Sequence, residues 1–314
     1  MKEKLVAIVG PTAVGKTKTS VMLAKRLNGE VISGDSMQVY RGMDIGTAKI
    51  TAEEMDGVPH HLIDIKDPSE SFSVADFQDL ATPLITEIHE RGRLPFLVGG
   101  TGLYVNAVIH QFNLGDIRAD EDYRHELEAF VSSYGVQALH DKLSKVDPKA
   151  AAAIHPNNYR RVIRALEIIK LTGKTVTEQA RHEEETPSPY NLVMIGLTME
   201  RDVLYDRINR RVDQMVEEGL IDEAKKLYDR GIRDCQSVQA IGYKEMYDYL
   251  DGNVTLEEAI DTLKRNSRRY AKRQLTWFRN KANVTWFDMT DVDFDKKIME
   301  IHNFIAGKLE EKSK

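Results

Sequence analysis

Three near-continuous apolar runs stand out along the chain, Leu5–Val9, Leu94–Val98 and Leu192–Leu197. Runs of this kind, with no polar alternation, fit strands buried on both faces, as in a parallel sheet. Glu30–Ser33 and Val284–Asp288 read as two shorter strands. Between the runs the period changes to that of helices. Val21, Leu23, Ala24 and Leu27 recur before an Asn28-Gly29 stop, and Phe77, Leu80, Leu84, Ile85 and Ile88 lie near one face of a helix predicted over Phe72–Glu90. Leu204, Ile208, Val212 and Met215 stripe another helix that ends near Gly219. From Asp116 to Pro189 strand-like runs disappear, and helix-favouring segments follow one another at Asp122–Ser133, Val136–Lys145 and Asn158–Leu171. Glu183–Pro189, with its acids and two prolines, reads as a linker.

The most one-sided helix is predicted over Leu263–Arg279. Leu263, Tyr270, Ala271, Trp277 and Phe278 form its apolar stripe, and Arg265, Arg268, Arg269, Lys272, Arg273 and Arg279 are expected opposite. No acid interrupts from Lys264 to Lys281, although the whole chain carries a net charge of −6. An acidic protein that concentrates cations on one face is organised for a polyanion, although a solvated basic face has the same pattern. At 314 residues and 41% hydrophobic the chain can bury a full core. Cys235 is its single cysteine, which excludes an intramolecular disulfide and a cysteine zinc site. With no signal-peptide core after Met1–Lys4 and no run long enough for a membrane helix, a cytoplasmic protein is expected.

The first strand runs into Gly10-Pro11-Thr12-Ala13-Val14-Gly15-Lys16-Thr17, which fits the phosphate-loop pattern G-x-x-x-x-G-K-[ST] and opens a helix. In such a loop backbone N–H groups wrap a phosphate and the new helix turns its positive end inward. Lys16 adds a charge for the outer oxygens and Thr17 a hydroxyl for Mg²⁺. The expected fold is therefore α/β, a P-loop-type parallel sheet flanked by helices with an inserted all-helical subdomain. Residues 1–115 are the first part of the core, 116–189 the helical insertion, and 190–314 the continuation with the basic helix.

Ligands in open parallel sheets sit beyond the carboxyl ends of strands. Asp35, just past the second strand, faces the phosphate loop on this rule, or else closes an Asx turn. Thr101, in the turn Gly99-Gly100-Thr101-Gly102, is placed either to meet a substrate or to cap the next helix. Arg211 borders an apolar stripe and is positioned to point inward toward an anion. His60 and His61 are adjacent, so on a strand they face opposite ways, which favours packing or hydrogen bonding over chelation. Arg160, Arg161 and Arg164 share one face of their helix, and a solvated charged face is the default reading of such a cluster.

Taken together, Gly10–Thr17, Asp35-Ser36-Met37-Gln38-Val39-Tyr40, Asp44–Lys49, Gly99–Tyr104, Arg164-Ala165-Leu166-Glu167, Ala240–Lys244 and Ala271–Arg279 closely resemble the bacterial tRNA dimethylallyltransferases over nearly the whole chain. One departure is Ile50, where that family usually has proline. The resemblance implies transfer of a dimethylallyl group from dimethylallyl pyrophosphate to the exocyclic amine of the adenosine 3′-adjacent to the anticodon. It implies Mg²⁺ as cofactor, with Thr17 as its protein ligand, and the tRNA anticodon stem-loop as partner of a monomer. It also implies Gly10, Pro11, Thr12, Ala13, Val14, Gly15, Lys16 and Thr17 at the pyrophosphate, and Asp35 as base with Thr101, Lys16 and Arg211 beside it. Asp35, Ser36, Met37, Gln38, Thr101, Arg124, Arg160, Arg161, Val162, Ile163, Arg164, Gln239, Lys244, Lys272, Arg273 and Arg279 are implied as tRNA contacts. Three other readings share the phosphate loop: prenyl transfer to free adenine nucleotides, a small-molecule kinase, and a non-catalytic RNA-binding GTPase-like switch, the last without the guanine-reading Asn/Thr-Lys-x-Asp run it needs.

Overall fold

The computed structural model of the chain describes residues 2–112, 120–178, 187–281 and 283–311. Met1–Ile109 together with Pro189–Lys314 forms one compact unit, and His110–Ser188 forms a second. The expected boundary at 116, residues 183–186 of the expected linker and the last three residues lie outside the described ones.

In chain order the first unit opens with β1 (Lys4–Val9), α1 (Lys16–Arg26), β2 (Gly29–Ser33), α2 (Ala52–Met55), β3 (His60–His61), α3 (Val74–Glu90), β4 (Leu94–Gly99) and α4 (Gly102–His110). The second unit holds α5 (Glu121–Val146), α6 (Pro148–Ala153) and α7 (Tyr159–Thr172). The chain then continues with β5 (Asn191–Thr198), α8 (Arg201–Glu217), α9 (Leu220–Asp229), α10 (Tyr243–Leu250), α11 (Leu256–Lys281), β6 (Thr285–Asp288) and α12 (Phe294–Glu311).

Among the described residues six strands form one parallel sheet, in the order β3-β2-β4-β1-β5-β6. Successive residues of β1 serve opposite layers. Leu5, Ala7 and Val9 enter the cluster that holds Phe77 and Ile85 of α3, while Val6 and Ile8 enter the one that holds Leu23 of α1 and Ile301 of α12. Both faces of the strand are thus dry, which is why it reads as an unbroken apolar run. Each fully buried aliphatic side chain contributes about 1.5–3 kcal/mol of transfer free energy.

The register sets where the loops emerge. Val9 pairs with Gly99 and Ser33 with Val98, so β1, β2 and β4 end at one height. The phosphate loop, the Asp35 turn and the second glycine turn therefore leave the same edge of the sheet. Gly15 closes the phosphate loop at φ 101°, a left-handed backbone that a side chain would strain.

Some expected boundaries shift for identifiable reasons. α3 begins at Val74 because Ser73 and Asp76 form a capping box, and Leu80 points outward at 40% exposure while Ala81 takes its place in the core. The helix expected from Leu263 begins at Leu256, behind a capping box in which Glu258 N–H donates to Thr255 and Thr255 N–H to Glu258. In the second unit the two helices expected before Lys145 run together as α5, broken at Gly135 by a non-helical φ of 82°. Its core gathers Leu127, Leu139 and Leu143 of α5 with Val162, Ile163 and Leu166 of α7. At the edge of the first unit His61 meets the buried Glu30 carboxylate at 2.6 Å, and His60 Nδ1 lies 2.9 Å from Val58 O. Burial would raise the Glu30 carboxyl, but hydrogen bonds from Arg91 and His61 outweigh it and hold the group below its ordinary value.

Candidate active site

Beyond the carboxyl edge of the sheet lies a cavity of about 350 Å³, within the range of small-molecule sites. Thr12 and Ala13 of the phosphate loop form one part of its wall, and Asp35, Ser36 and Met37 another. Gly46–Ala48 and Gln239–Ile241 with Lys244 close a third side. Ile208, Val212 and Met215 of α8 and Leu263 of α11 make an apolar flank, where Arg211, Tyr270 and Arg273 add polar ends.

Within the phosphate loop the amides of Ala13, Val14 and Gly15 have no acceptor among the described residues, which leaves them for an anion. Lys16 Nζ donates to Gly10 O at 3.0 Å and Pro11 O at 2.8 Å, so without a ligand it folds back on the loop. Desolvation lowers its ammonium to about 8; the Asp35 carboxylate opposes this and Arg211 adds to it. The Arg211 guanidinium makes no hydrogen bond or ion pair to a described residue. Burial lowers its ionisation in turn, against the pull of Asp35. Two half-shielded cations without a carboxylate bonded to either form a site awaiting an anion. Thr17, exposed at the start of α1, donates its hydroxyl to no described residue.

Asp35 satisfies both readings made of it. Its Oδ1 closes an Asx turn, accepting from Met37 N–H at 2.8 Å and Gln38 N–H at 3.3 Å. No described residue bonds Oδ2, and the residue lines the cavity. Thr101 does not cap α4 with its side chain. Its Oγ1 is buried without a well-formed hydrogen bond, beside the Tyr270 phenol. Burial and the nearby Asp35 charge push that phenol up to about 12, so it stays protonated as a donor.

Gln274, which charge and periodicity passed over, joins these parts. It is 5% exposed; its Oε1 accepts from Thr12 N–H at 2.9 Å and its Nε2 donates to Gly100 O at 3.1 Å. Its place on the α11 seam between Tyr270 and Phe278 and its membership of the Ala271–Arg279 block were the available signals, and neither gave it this role.

The cations expected on the outer face of α11 do not all stand there. Arg269, Lys272, Thr276, Trp277 and Asn280 line an open groove with Arg273. Arg273 also reaches the cavity, its guanidinium 5.5 Å from the Tyr270 ring. Arg279 stacks over Trp286, and Arg268 turns inward to donate to Asn209 Oδ1 at 2.6 Å. In the second unit Arg160 and Arg161 are exposed, whereas Val162 and Ile163 are 0% and 4% exposed and belong to the core. Those two cannot present side chains to a polyanion, because helical spacing turns them away from the arginines. Arg124 and Arg164 share the fully buried Glu167 carboxylate, Arg124 Nε at 2.8 Å and Arg164 at 2.5 Å. Among the described residues no group of three His, Cys, Asp or Glu is placed to hold a metal, and no helix is long and apolar enough to cross a membrane.

The family model described as IPP transferase matches residues 38–281. The chain is 99% identical, over the full length of both, to a tRNA dimethylallyltransferase of Halalkalibacterium halodurans. It superposes on the crystal structure of a full-length tRNA isopentenylpyrophosphate transferase from Bacillus halodurans at a TM-score of 0.77, with 95% identity over 99% of this chain and 98% of that one. A eukaryotic dimethylallyltransferase acting on tRNA superposes at 0.80, with 32% identity over 97% of this chain and 80% of that one.

The depressed Lys16 ammonium has a measurable consequence. Between about 8 and the ordinary 10.5 the unfolded chain holds a proton that the folded one has released. Folding gains stability as pH rises through that window, while an anion that needs the ammonium binds less well. Affinity for an organic pyrophosphate, titrated calorimetrically, is expected to fall about tenfold for each pH unit above about 8. Lys16→Arg should flatten the profile, and a flat wild-type profile would place Lys16 away from the ligand.

Proposed function

The chain belongs to the IPP transferase family, and from that premise we propose that it transfers a dimethylallyl group from dimethylallyl pyrophosphate to the exocyclic amine of the adenosine 3′-adjacent to the tRNA anticodon. The observation that carries this reading is one cavity in which an open carboxylate oxygen, the Arg211 guanidinium and an apolar flank meet, with Lys16 in the phosphate loop that forms part of its wall. A kinase needs no such apolar flank. A free-nucleotide prenyltransferase needs no arginine face, and the full-length relative is named for tRNA.

The amine nitrogen attacks the first carbon of the allyl group as the bond from that carbon to the pyrophosphate oxygen breaks, and pyrophosphate leaves with the bonding pair. Charge accumulates on the leaving oxygens, toward which the Ala13–Gly15 amides and Arg211 are disposed beforehand, while Lys16 would exchange the Gly10 and Pro11 carbonyls for them. Donors aimed in advance at developing charge are usually the largest single contribution to rate. Ile208, Val212, Met215 and Leu263 would surround the prenyl chain and keep water from the cation-like carbon. Asp35 Oδ2 is the oxygen for the amine proton, since Oδ1 is held in its turn.

Mg²⁺ suits the pyrophosphate end. Thr17 offers one hydroxyl, and a small hard cation readily takes its other ligands from phosphate oxygens and water. When bound, it would neutralise charge on the leaving group. The exposed Arg269, Lys272, Arg160 and Arg161 would meet the RNA backbone, with Arg124 and Arg164 held in place by Glu167. The target base must unstack from its loop before its amine can enter the cavity.

Incubation with Mg²⁺, dimethylallyl pyrophosphate and unmodified tRNA is expected to yield prenylated tRNA and one pyrophosphate per transfer, read by mass spectrometry of the nucleosides. Turnover with ATP, and none with the prenyl donor, would return the kinase.

Asp35→Asn keeps the turn acceptor and removes the basic oxygen. Single-turnover rates at saturating substrates should fall about 10²–10⁴-fold, with both affinities nearly unchanged. A near wild-type rate at saturation would make Asp35 a structural residue.

A further inference from the structure

We infer that Glu223 is a positioning residue for the acceptor side of this cavity, its carboxylate tying the 44–48 loop to the Gln239–Lys244 segment. The inference rests on the reading just given and extends it to a residue that does not line the cavity. Glu223 sits on α9 at 8% exposure. Its Oε2 accepts from Asp44 N–H at 2.8 Å and Ile45 N–H at 2.9 Å. Its Oε1 accepts from Gly46 N–H at 3.0 Å and from the Tyr243 hydroxyl at 2.5 Å. A carboxylate has about four acceptor positions, so this one is filled and is left no role as base or ligand. What remains is to hold its donors in place.

Both branches lead to the cavity. On one side, Gly46, Thr47 and Ala48 form its wall, and the carbonyls of Thr47 and Ala48 each accept from Gln38 Nε2 at 3.4 Å. Gln38 N–H in turn helps close the Asp35 turn. On the other side, Tyr243 lies in the segment that carries Gln239 and Lys244 into the cavity. The two branches touch, since a Cβ on Gly46 would lie 2.6 Å from Tyr243 Cε2. No bond from Glu223 reaches the phosphate loop or Arg211. The geometry therefore separates acceptor from donor: loss of the clamp disturbs the groups around Asp35 and leaves the pyrophosphate cradle in place.

Glu223→Gln keeps the shape but turns an NH₂ toward groups that are themselves donors, so at least one buried donor loses its acceptor. The loop has a second anchor, because Lys49 Nζ binds Asp44, Asp64 and Tyr40 O independently. Single-turnover transfer is measured with dimethylallyl pyrophosphate and a synthetic anticodon stem-loop RNA. At saturating donor the apparent second-order rate constant for the RNA is expected to fall about ten- to a hundredfold. Donor Kd without RNA should stay within about twofold, since no hydrogen bond links Glu223 to its cradle. Amide hydrogen exchange at 44–46 should quicken while that of β1 stays slow. Tyr243→Phe removes one bond of the four and should shift the same quantities less. Combined with Glu223→Gln it should add little.

Unchanged RNA dependence in Glu223→Gln, or a donor affinity that falls together with it, overturns the clamp. If that variant does not fold, the same division in Tyr243→Phe decides. If the wild type transfers nothing to RNA, the functional reading fails by itself, while exchange at 44–46 still tests the clamp.

Discussion

The side-chain amide of Gln274 is the contact on which the site depends. It lies buried between two loops, with its oxygen on Thr12 N–H and its nitrogen on Gly100 O. Only one orientation of the amide satisfies both, and a buried donor or acceptor left unmatched costs roughly 1–3 kcal/mol. That single side chain ties the phosphate loop after β1 and the glycine turn after β4 to α11, whose outer face carries Arg269 and Lys272. The helix with the exposed cations and the phosphate loop are thus parts of one scaffold.

Around this scaffold positive charge is handled in two ways. Arg211 lines the cavity and Lys16 sits in the adjoining phosphate loop, neither bonded to a carboxylate among the described residues, and burial lowers the ionisation of both. An anion bound beside them would offset that desolvation. In the second unit Arg124 and Arg164 share the buried Glu167 instead. There burial would raise the carboxyl, but hydrogen bonds from the two arginines hold it below its ordinary value. Such a pair gives up net charge for fixed direction, which suits recognition of shape more than neutralisation of a leaving group.

The strands, the phosphate loop and the basic helix were legible because each rests on a local rule: apolar runs for strands dry on both faces, glycine spacing for the loop, a 3.6-residue period for the helix. Gln274 and Glu223 were not legible, since a polar residue at a buried helix position looks in sequence like any solvated one. The backbone partners of Gln274 lie 262 and 174 positions away, and those of Glu223 lie 177 to 179 away. Arg268 was misread for the same reason, its acceptor Asn209 lying on another helix. Val162 and Ile163 went the other way. Carried into an RNA-contact block by resemblance, they are core by their own periodicity. The Asp35 alternatives failed to exclude each other because a carboxylate has two oxygens and the fold uses one for each purpose.

The most direct test of this account is the equilibrium affinity of Gln274→Ala for dimethylallyl pyrophosphate in the absence of RNA. Gln274 does not line the cavity and carries no charge, so a purely local view predicts no change. If its amide fixes the phosphate loop, the loss should be about fivefold to a hundredfold, the equivalent of the roughly 1–3 kcal/mol above, with Arg269→Ala on the same helix leaving donor affinity intact. Wild-type donor affinity in Gln274→Ala would contradict the claim that helix and loop form one scaffold.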